Sequence, residues 1–309
     1  MIDSMKNVLL LGGNGFLGRN LAKGLAVSDD FRVFVYDIIK PIHAINGVCY
    51  FEGSIENYNL ISSIMRDNNV DVLVHMVSTI LPGSSMEQYI NNCKLVQLST
   101  IPLMDFCATN NVELVFLSSG GTVYGVKGGV VSENEPTAPI SYYGLSKVQI
   151  EDLINFYHRR YALNYLILRP SNPYGYGQNL YGKQGLIAVI LGKLLKKKPI
   201  SVFGDGSTVR DYIYIDDFVY YIKELLRKNI LNETINIGSG EGCSINQIID
   251  IVREVVDFNV MVDYIDARKD DVPKLVLDTT RLHNFVKHDN VNIKEGVKRF
   301  YDDVMRENG

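Results

Sequence analysis

The apolar run Val8–Leu11 breaks directly into Gly12-Gly13-Asn14-Gly15-Phe16-Leu17-Gly18, after which apolar residues recur at helical spacing to Val27. A strand that turns into a helix over glycines is the opening of a βαβ unit, in which backbone N–H groups and the helix N-terminus face an anion. Glycine is needed where a side chain would block a phosphate or forbid the backbone angles. Gly12, Gly15, Phe16, Leu17 and Gly18 are therefore read as the seat of a dinucleotide pyrophosphate, with Gly18 also allowing close packing of helix on strand. Asp37 ends the next apolar run, Arg32–Tyr36, roughly 20 residues beyond the glycines, where a carboxylate accepts hydrogen bonds from the adenosine ribose. An acid there repels a 2′-phosphate. The expected cofactor is NAD(H), with NADP(H) as the alternative.

The same alternation continues. Val70–His75, Glu113–Ser118 and Tyr165–Leu168 read as further buried strands, with amphipathic stretches such as Leu145–Tyr161 between them. This pattern predicts an α/β protein with a Rossmann-type, doubly wound parallel sheet. After Arg169 the run Pro170 to Tyr181 is rich in proline, glycine and tyrosine, and shorter elements follow, including a helix over Gly185–Leu195 and a strand over Ser201–Phe203. The expected organisation is a cofactor domain over 1–168, with returning segments near 205–238, and a smaller α/β substrate domain built from 169–204 and 239–309.

Composition removes several classes. With 31 Lys plus Arg against 35 Asp plus Glu, the formal charge of -4 gives no broad footprint for a nucleic acid polymer or an anionic membrane. Cys49, Cys93, Cys107 and Cys243 are scattered without metal-ligand spacing, so no metal is expected, and free thiols in the cytoplasm are the simplest reading. Nothing approaches the ~18 consecutive apolar residues of a membrane span.

Tyr143 and Lys147 stand four apart near the start of a predicted helix and so share a face. A phenol with an ordinary pKa near ~10 becomes a usable proton exchanger when an ammonium stabilises its phenolate. Carbonyl–alcohol interconversion needs that group beside a hydride carrier. Together with the glycine turn, this Tyr-x-x-x-Lys resembles the extended short-chain dehydrogenase/reductase superfamily. Ser118-Ser119-Gly120-Gly121-Thr122-Val123-Tyr124-Gly125 looks like its element carrying a catalytic Ser or Thr, and Arg169-Pro170-Ser171-Asn172-Pro173-Tyr174-Gly175 like its substrate-binding turn. Arg210-Asp211-Tyr212-Ile213-Tyr214-Ile215-Asp216-Asp217 resembles the nucleotide-sugar epimerase/reductase branch.

The resemblance makes Tyr143 the general acid/base and has Lys147 hold the nicotinamide ribose and lower the phenol's pKa. It places Asn92 and Ser54 at the cofactor, Ser54 where an aspartate usually meets the adenine amine. Asn172, Arg210 and Arg268 fall where the family grips a nucleotide sugar, arginine being suited to a diphosphate by its planar fork. The family's usual third hydroxyl is replaced by Gly120. Ser119 and Thr122 are the nearest substitutes, and strand alternation slightly favours Thr122.

What the resemblance implies is hydride exchange at C4 of a nucleotide-activated hexose. Gly120, His75-Met76-Val77-Ser78-Thr79 and Pro170-Ser171 depart from the galactose-type epimerases. These departures favour reduction of a 4-keto-6-deoxy sugar, such as dTDP-4-dehydro-6-deoxyglucose to dTDP-fucose for surface polysaccharide. A 4-epimerase is the alternative, and a catalytically silent nucleotide-sugar or NAD sensor is a third. A homodimer through helices near Lys94–Cys107 and Val148–Arg160 is also implied.

Overall fold

In the computed structural model, which describes residues 5–182, 184–256, 260–267 and 272–308, Val8, Leu9, Leu10 and Leu11 have no exposed surface. A strand so deeply covered belongs inside a parallel sheet flanked by helices on both faces.

In chain order the elements run β1 (Lys6–Leu11), α1 (Phe16–Ala26), β2 (Phe31–Asp37), β3 (Val48–Glu52), α2 (Tyr58–Asp67), β4 (Val72–His75), α3 (Met86–Asn92), a π turn (Cys93–Gln97), α4 (Leu98–Asn110), β5 (Glu113–Leu117), β6 (Gly129–Val131) and α5 (Tyr142–Tyr161). They continue with β7 (Tyr165–Pro170), β8 (Asn172–Tyr174), α6 (Leu186–Leu195), β9 (Ile200–Phe203), β10 (Val209–Tyr214), α7 (Ile215–Arg227), β11 (Glu233–Ile237), β12 (Gly242–Ser244), α8 (Ile245–Val255), β13 (Val262–Ile265), β14 (Lys274–Leu277), α9 (Thr280–Phe285) and α10 (Ile293–Asn308).

The contacts divide the chain into one unit of residues 1–125, 137–169 and 219–235 and a second of 126–136, 170–218 and 236–309. The sequence put the returning segment near 205–238 and held no expectation for the excursion at 126–136.

The seven-stranded sheet has the order β11-β7-β5-β4-β1-β2-β3, with β1, β2, β3, β4, β5 and β7 joined in parallel. Chain order reverses between β1 and β4, so this sheet is the expected Rossmann-type doubly wound one. In such sheets a ligand crevice opens beyond the carboxyl ends of the strands at the reversal. Those ends carry the glycine turn after β1 and residues Met76 and Val77 after β4.

Three local differences from the sequence reading matter. Edge strand β3 is partly buried at Val48, Tyr50 and Phe51 and exposed at Cys49 and Glu52, and the sequence reading did not name it. Ser118 lies beyond β5, whereas Arg169 and Pro170 lie inside β7. Short strand β8 interrupts the stretch read as a loop, pairing with β10 through Asn172 and Tyr212.

In the second unit, β12, β10, β14 and β6 are hydrogen-bonded in that order. Asp211 organises this sheet from within: its buried carboxylate accepts the N–H groups of Ser239, Gly240 and Leu277 and the Ser239 hydroxyl. Asp217 similarly holds His288 Nε2 at 2.8 Å and the Val291 N–H at 2.9 Å. Two of the three acids of the 210–217 motif, Asp211 and Asp217, are thus occupied in building the fold.

Candidate active site

The glycine turn is shaped by both packing and access. Gly12 has φ +79°, and a Cβ at Gly18 would stand 2.6 Å from Gly12 O, so both positions are closed to side chains by the turn itself. Gly15 differs, since a Cβ there would meet only Gly12 O at 3.6 Å. Packing does not demand glycine at 15, which leaves that side of the turn open to a ligand. Gly15 is also the N-cap of α1 and offers no side chain to the first turn, so the N–H groups that open a helix remain directed at an incoming anion. These features fit a pyrophosphate, with Phe16, Leu17 and Gly18 opening the helix.

Asp37 ends β2 and braces this turn: Oδ2 accepts the Asn14 N–H at 2.9 Å and Oδ1 accepts the Ile39 N–H at 3.0 Å. A carboxylate with two occupied positions retains lone pairs for a ribose. Ser54 is exposed after β3 and caps its own turn, its hydroxyl donating to Glu56 at 3.2 Å and accepting the Glu56 N–H. Asn92 is buried, and its Oδ1 accepts both the N–H and the hydroxyl of Thr79, fixing the loop after β4.

Helix α5 begins at Tyr142, three residues before the amphipathic stretch read from the sequence, with Ser141 Oγ accepting the Gly144 N–H at 3.1 Å. Tyr143 and Lys147 face the same way, and Lys147 Nζ lies 5.6 Å from the Tyr143 ring centre and 4.9 Å from that of Phe116. Nζ donates to Leu117 O at 2.8 Å, at the carboxyl end of β5. Burial lowers the Lys147 pKa to about 8, with Glu151 opposing the fall. Burial pushes the half-buried Tyr143 phenol up to about 12, opposed by a hydrogen bond from Ser119. In the free chain, burial sets the direction of the phenol's shift. Desolvation dominates both groups, and the pair rests as neutral phenol and ammonium.

Of the two substitute hydroxyls, Ser119 is the one bonded to Tyr143, whereas Thr122 Oγ1 is buried with no hydrogen-bond partner. The preference for Thr122 rested on strand alternation, which does not extend to these residues. β5 ends at Leu117, and the N–H groups of Thr122 and Val123 both turn back to Ser119 O.

Beneath this pair lies a polar cluster that the sequence did not reveal. Glu151, one helical turn beyond Lys147, accepts Arg169 Nη2 at 2.6 Å, Arg169 Nε at 3.1 Å and the Ser118 hydroxyl. Arg169 Nη1 reaches the Tyr124 hydroxyl at 3.0 Å. Arg169, expected in a substrate turn, points instead into this buried cluster. Its spacing from Pro170 carried no such signal, but an acid eight residues after the tyrosine on one helix face could have drawn notice. His75, at the end of β4, is fully buried and its pKa falls to about 3, so it stays neutral. Its Nε2 lies 2.9 Å from Thr100 Oγ1, which itself donates to Val96 O in the π turn.

In the second unit, Asn172 and Arg210 line one cavity of about 210 Å³ together with Gly185, Leu186, Thr208 and Tyr212. Each is anchored to backbone: Asn172 Nδ2 to Asp211 O at 2.7 Å, Arg210 Nη1 to Val272 O at 2.6 Å. Arg268 lies outside the described residues. A larger cavity of about 610 Å³, bordered by Cys243, His283 and His288, contains none of the residues singled out by sequence except motif residue Tyr212. Among the described residues no cluster of His, Cys, Asp and Glu suits a metal, and no helix is long and apolar enough to cross a membrane.

Comparison with known proteins agrees with this arrangement. The sequence profile of the NAD dependent epimerase/dehydratase family matches residues 8–238. A Methanocaldococcus jannaschii protein provisionally named UDP-glucose 4-epimerase is 31% identical over 296 residues, covering 94% of this chain and 96% of its own. An Escherichia coli dTDP-4-dehydro-6-deoxyglucose reductase is 29% identical over 291 residues, covering 91% and 92%. The crystal structure of Thermotoga maritima UDP-glucose 4-epimerase with UDP-glucose superposes with a TM-score of 0.91 at 29% identity, covering 98% of this chain and 100% of that one.

Proposed function

The chain belongs to the NAD dependent epimerase/dehydratase family, and from that premise we propose that it moves a hydride at C4 of a nucleotide-activated hexose, as a 4-epimerase that retains its NAD. The observation that carries this reading is the Tyr143 phenol, hydrogen-bonded by Ser119 and flanked by Lys147, in the same unit as the open glycine turn. Bound NAD supplies the hydride acceptor and donor. The chain's own residues do the rest: the turn from Gly12 to Gly18 seats the pyrophosphate, Asp37 takes the adenosine ribose, and Ser54 and Asn92 border the cofactor. Tyr143 exchanges one proton with the C4 oxygen, Ser119 orients the phenol, and Lys147 holds the nicotinamide ribose. Asn172 and Arg210, with Arg268, bind the nucleotide diphosphate.

The sequence leaned to a 4-keto reductase because Gly120, His75-Met76-Val77-Ser78-Thr79 and Pro170-Ser171 depart from the galactose-type epimerases. Ser119 supplies a donor at the phenol that serves either reaction, and the names of the M. jannaschii and T. maritima relatives support epimerisation. Reduction remains the second reading, favoured by the Ser118–Gly125 and Arg169–Gly175 motifs and by the E. coli relative. Incubating purified protein with UDP-glucose and no added cofactor tests the first reading, with UDP-galactose as the expected product. Consumption of NADH in proportion to dTDP-4-dehydro-6-deoxyglucose, without epimerisation, replaces it with the second. A homodimer through α4 and α5 is part of the proposal, supported by the exposed apolar side chains of Leu98, Phe156 and Tyr161; a monomer in sedimentation would remove it.

A further inference from the structure

Tyr143, Lys147 and Glu151 form one stripe along α5, each a helical turn from the next. Lys147 and Glu151 are both almost fully buried. An ammonium out of water sheds its proton unless an opposite charge is near, and the carbonyl of Leu117 supplies only a dipole.

The groups around Lys147 divide clearly. From β4, His75 is neutral; from β5 come the Phe116 ring and the Leu117 carbonyl; along α5, the Tyr143 phenol is uncharged. From β7, Arg169 is a cation. Among the described residues that face Lys147 in this way, Glu151 is the negative charge, and it opposes the effect of burial on the ammonium. Its carboxylate cannot swing away, because Arg169 holds both oxygens and Ser118 donates to one of them.

A role limited to stapling α5 to β7 would not call for charges. Well-packed apolar side chains of similar volume often stabilise as much as a buried ion pair or more. We propose that Glu151, clamped by Arg169 and Ser118, is a positioning residue that keeps the Lys147 ammonium charged beside Tyr143 under working conditions. This rests on the reading that Tyr143 and Lys147 carry out the proton chemistry.

The test has a readout without turnover. In cofactor-free protein carrying isotope-labelled lysine, the Lys147 signal, assigned by its loss in Lys147→Met, is titrated by NMR; the pH profile of kcat/KM is recorded in parallel. Glu151→Gln is expected to move the Lys147 titration about one pH unit towards acid, and the alkaline limb of the rate profile with it. Glu151→Asp, which keeps the charge, is expected to titrate close to the unaltered protein. Because Glu151→Gln leaves Arg169 without a counter-charge, the experiment is repeated on Glu151→Gln/Arg169→Gln, which removes both members of that ion pair and in which a smaller acid shift is expected. An unmoved Lys147 titration in both variants overturns the proposal, including the case in which rates fall equally at every pH. A shifted titration with an unmoved rate profile upholds the action of Glu151 on Lys147 and instead removes Lys147 from the catalytic reading.

Discussion

Two buried glutamates serve the opposite ends of the same strand and meet opposite fates. Glu151 packs beyond the carboxyl end of β5, where Ser118 and Arg169 satisfy both of its oxygens. Glu113 opens β5 at the other end. Its Oε1 has no hydrogen-bond partner, and its Oε2 is 3.9 Å from Lys6 Nζ, which donates instead to Leu226 O. Burial pushes the Glu113 pKa up to about 7, against the weaker pull of Lys6. Glu113 also borders a cavity of about 330 Å³ with Asp30, Asp71, Asn111 and Asn164. A carboxyl withdrawn from water must be paired or protonated. The end that carries the candidate chemistry pairs its acid, and the far end lets its acid titrate.

The comparison can be broken in order of expected effect. The largest change is in turnover: Tyr143→Phe is expected to lower kcat about 10²–10⁴-fold while NAD binding, followed by cofactor fluorescence, is retained. Rates close to those of the unaltered protein would detach the paired charges from any catalytic purpose. Next, Arg169→Met strands the Glu151 carboxylate in the interior and is expected to cost about 3–5 kcal/mol in urea unfolding. A cost below 1 kcal/mol would mean that Glu151 is no better supported than Glu113.

At the far end the expectation concerns pH. The pKa of Glu113 is raised in the folded chain, from 4.5 to about 7, so the native state binds the proton more tightly than the unfolded one. Its stabilising contribution is complete below 4.5 and is lost as pH rises towards about 7, on the order of 3 kcal/mol in total. Glu113→Gln should flatten that part of the stability profile in calorimetry. The same slope in the variant would assign it to other groups. The smallest effects separate the two hydroxyls: Ser119→Ala is expected to slow turnover about 3–10-fold through loss of one hydrogen bond, and Thr122→Val to leave it unchanged, since its Oγ1 has no partner to lose. The reverse pattern would restore Thr122 as the assisting hydroxyl.

Much of this protein was legible without coordinates. A strand, a glycine turn, a helix and an acid in sequence mark the proposed cofactor end, because hydrogen-bonding geometry there is local and few residue types satisfy it. Tyr143 and Lys147 were legible for the same reason, since four residues on a helix is a spatial statement. The edge strand β3 escaped because its apolar run is only Val48 to Phe51 and none of its residues is fully buried. Thr122 was preferred to Ser119 because strand alternation was extended past Leu117, where the backbone had already turned.

What only the tertiary structure decided is the company those residues keep. Arg169 stands 18 positions from Glu151 and Ser118 stands 33 away, and parallel strand order alone brings them together. Asn172 and Arg210 share a cavity because β8 pairs with β10. The sign and size of the Tyr143 and Lys147 pKa changes also follow from burial, which is a property of packing. Local spacing determined which groups could do proton and hydride chemistry; long-range packing decided their charges, because desolvation depends on every element that covers them.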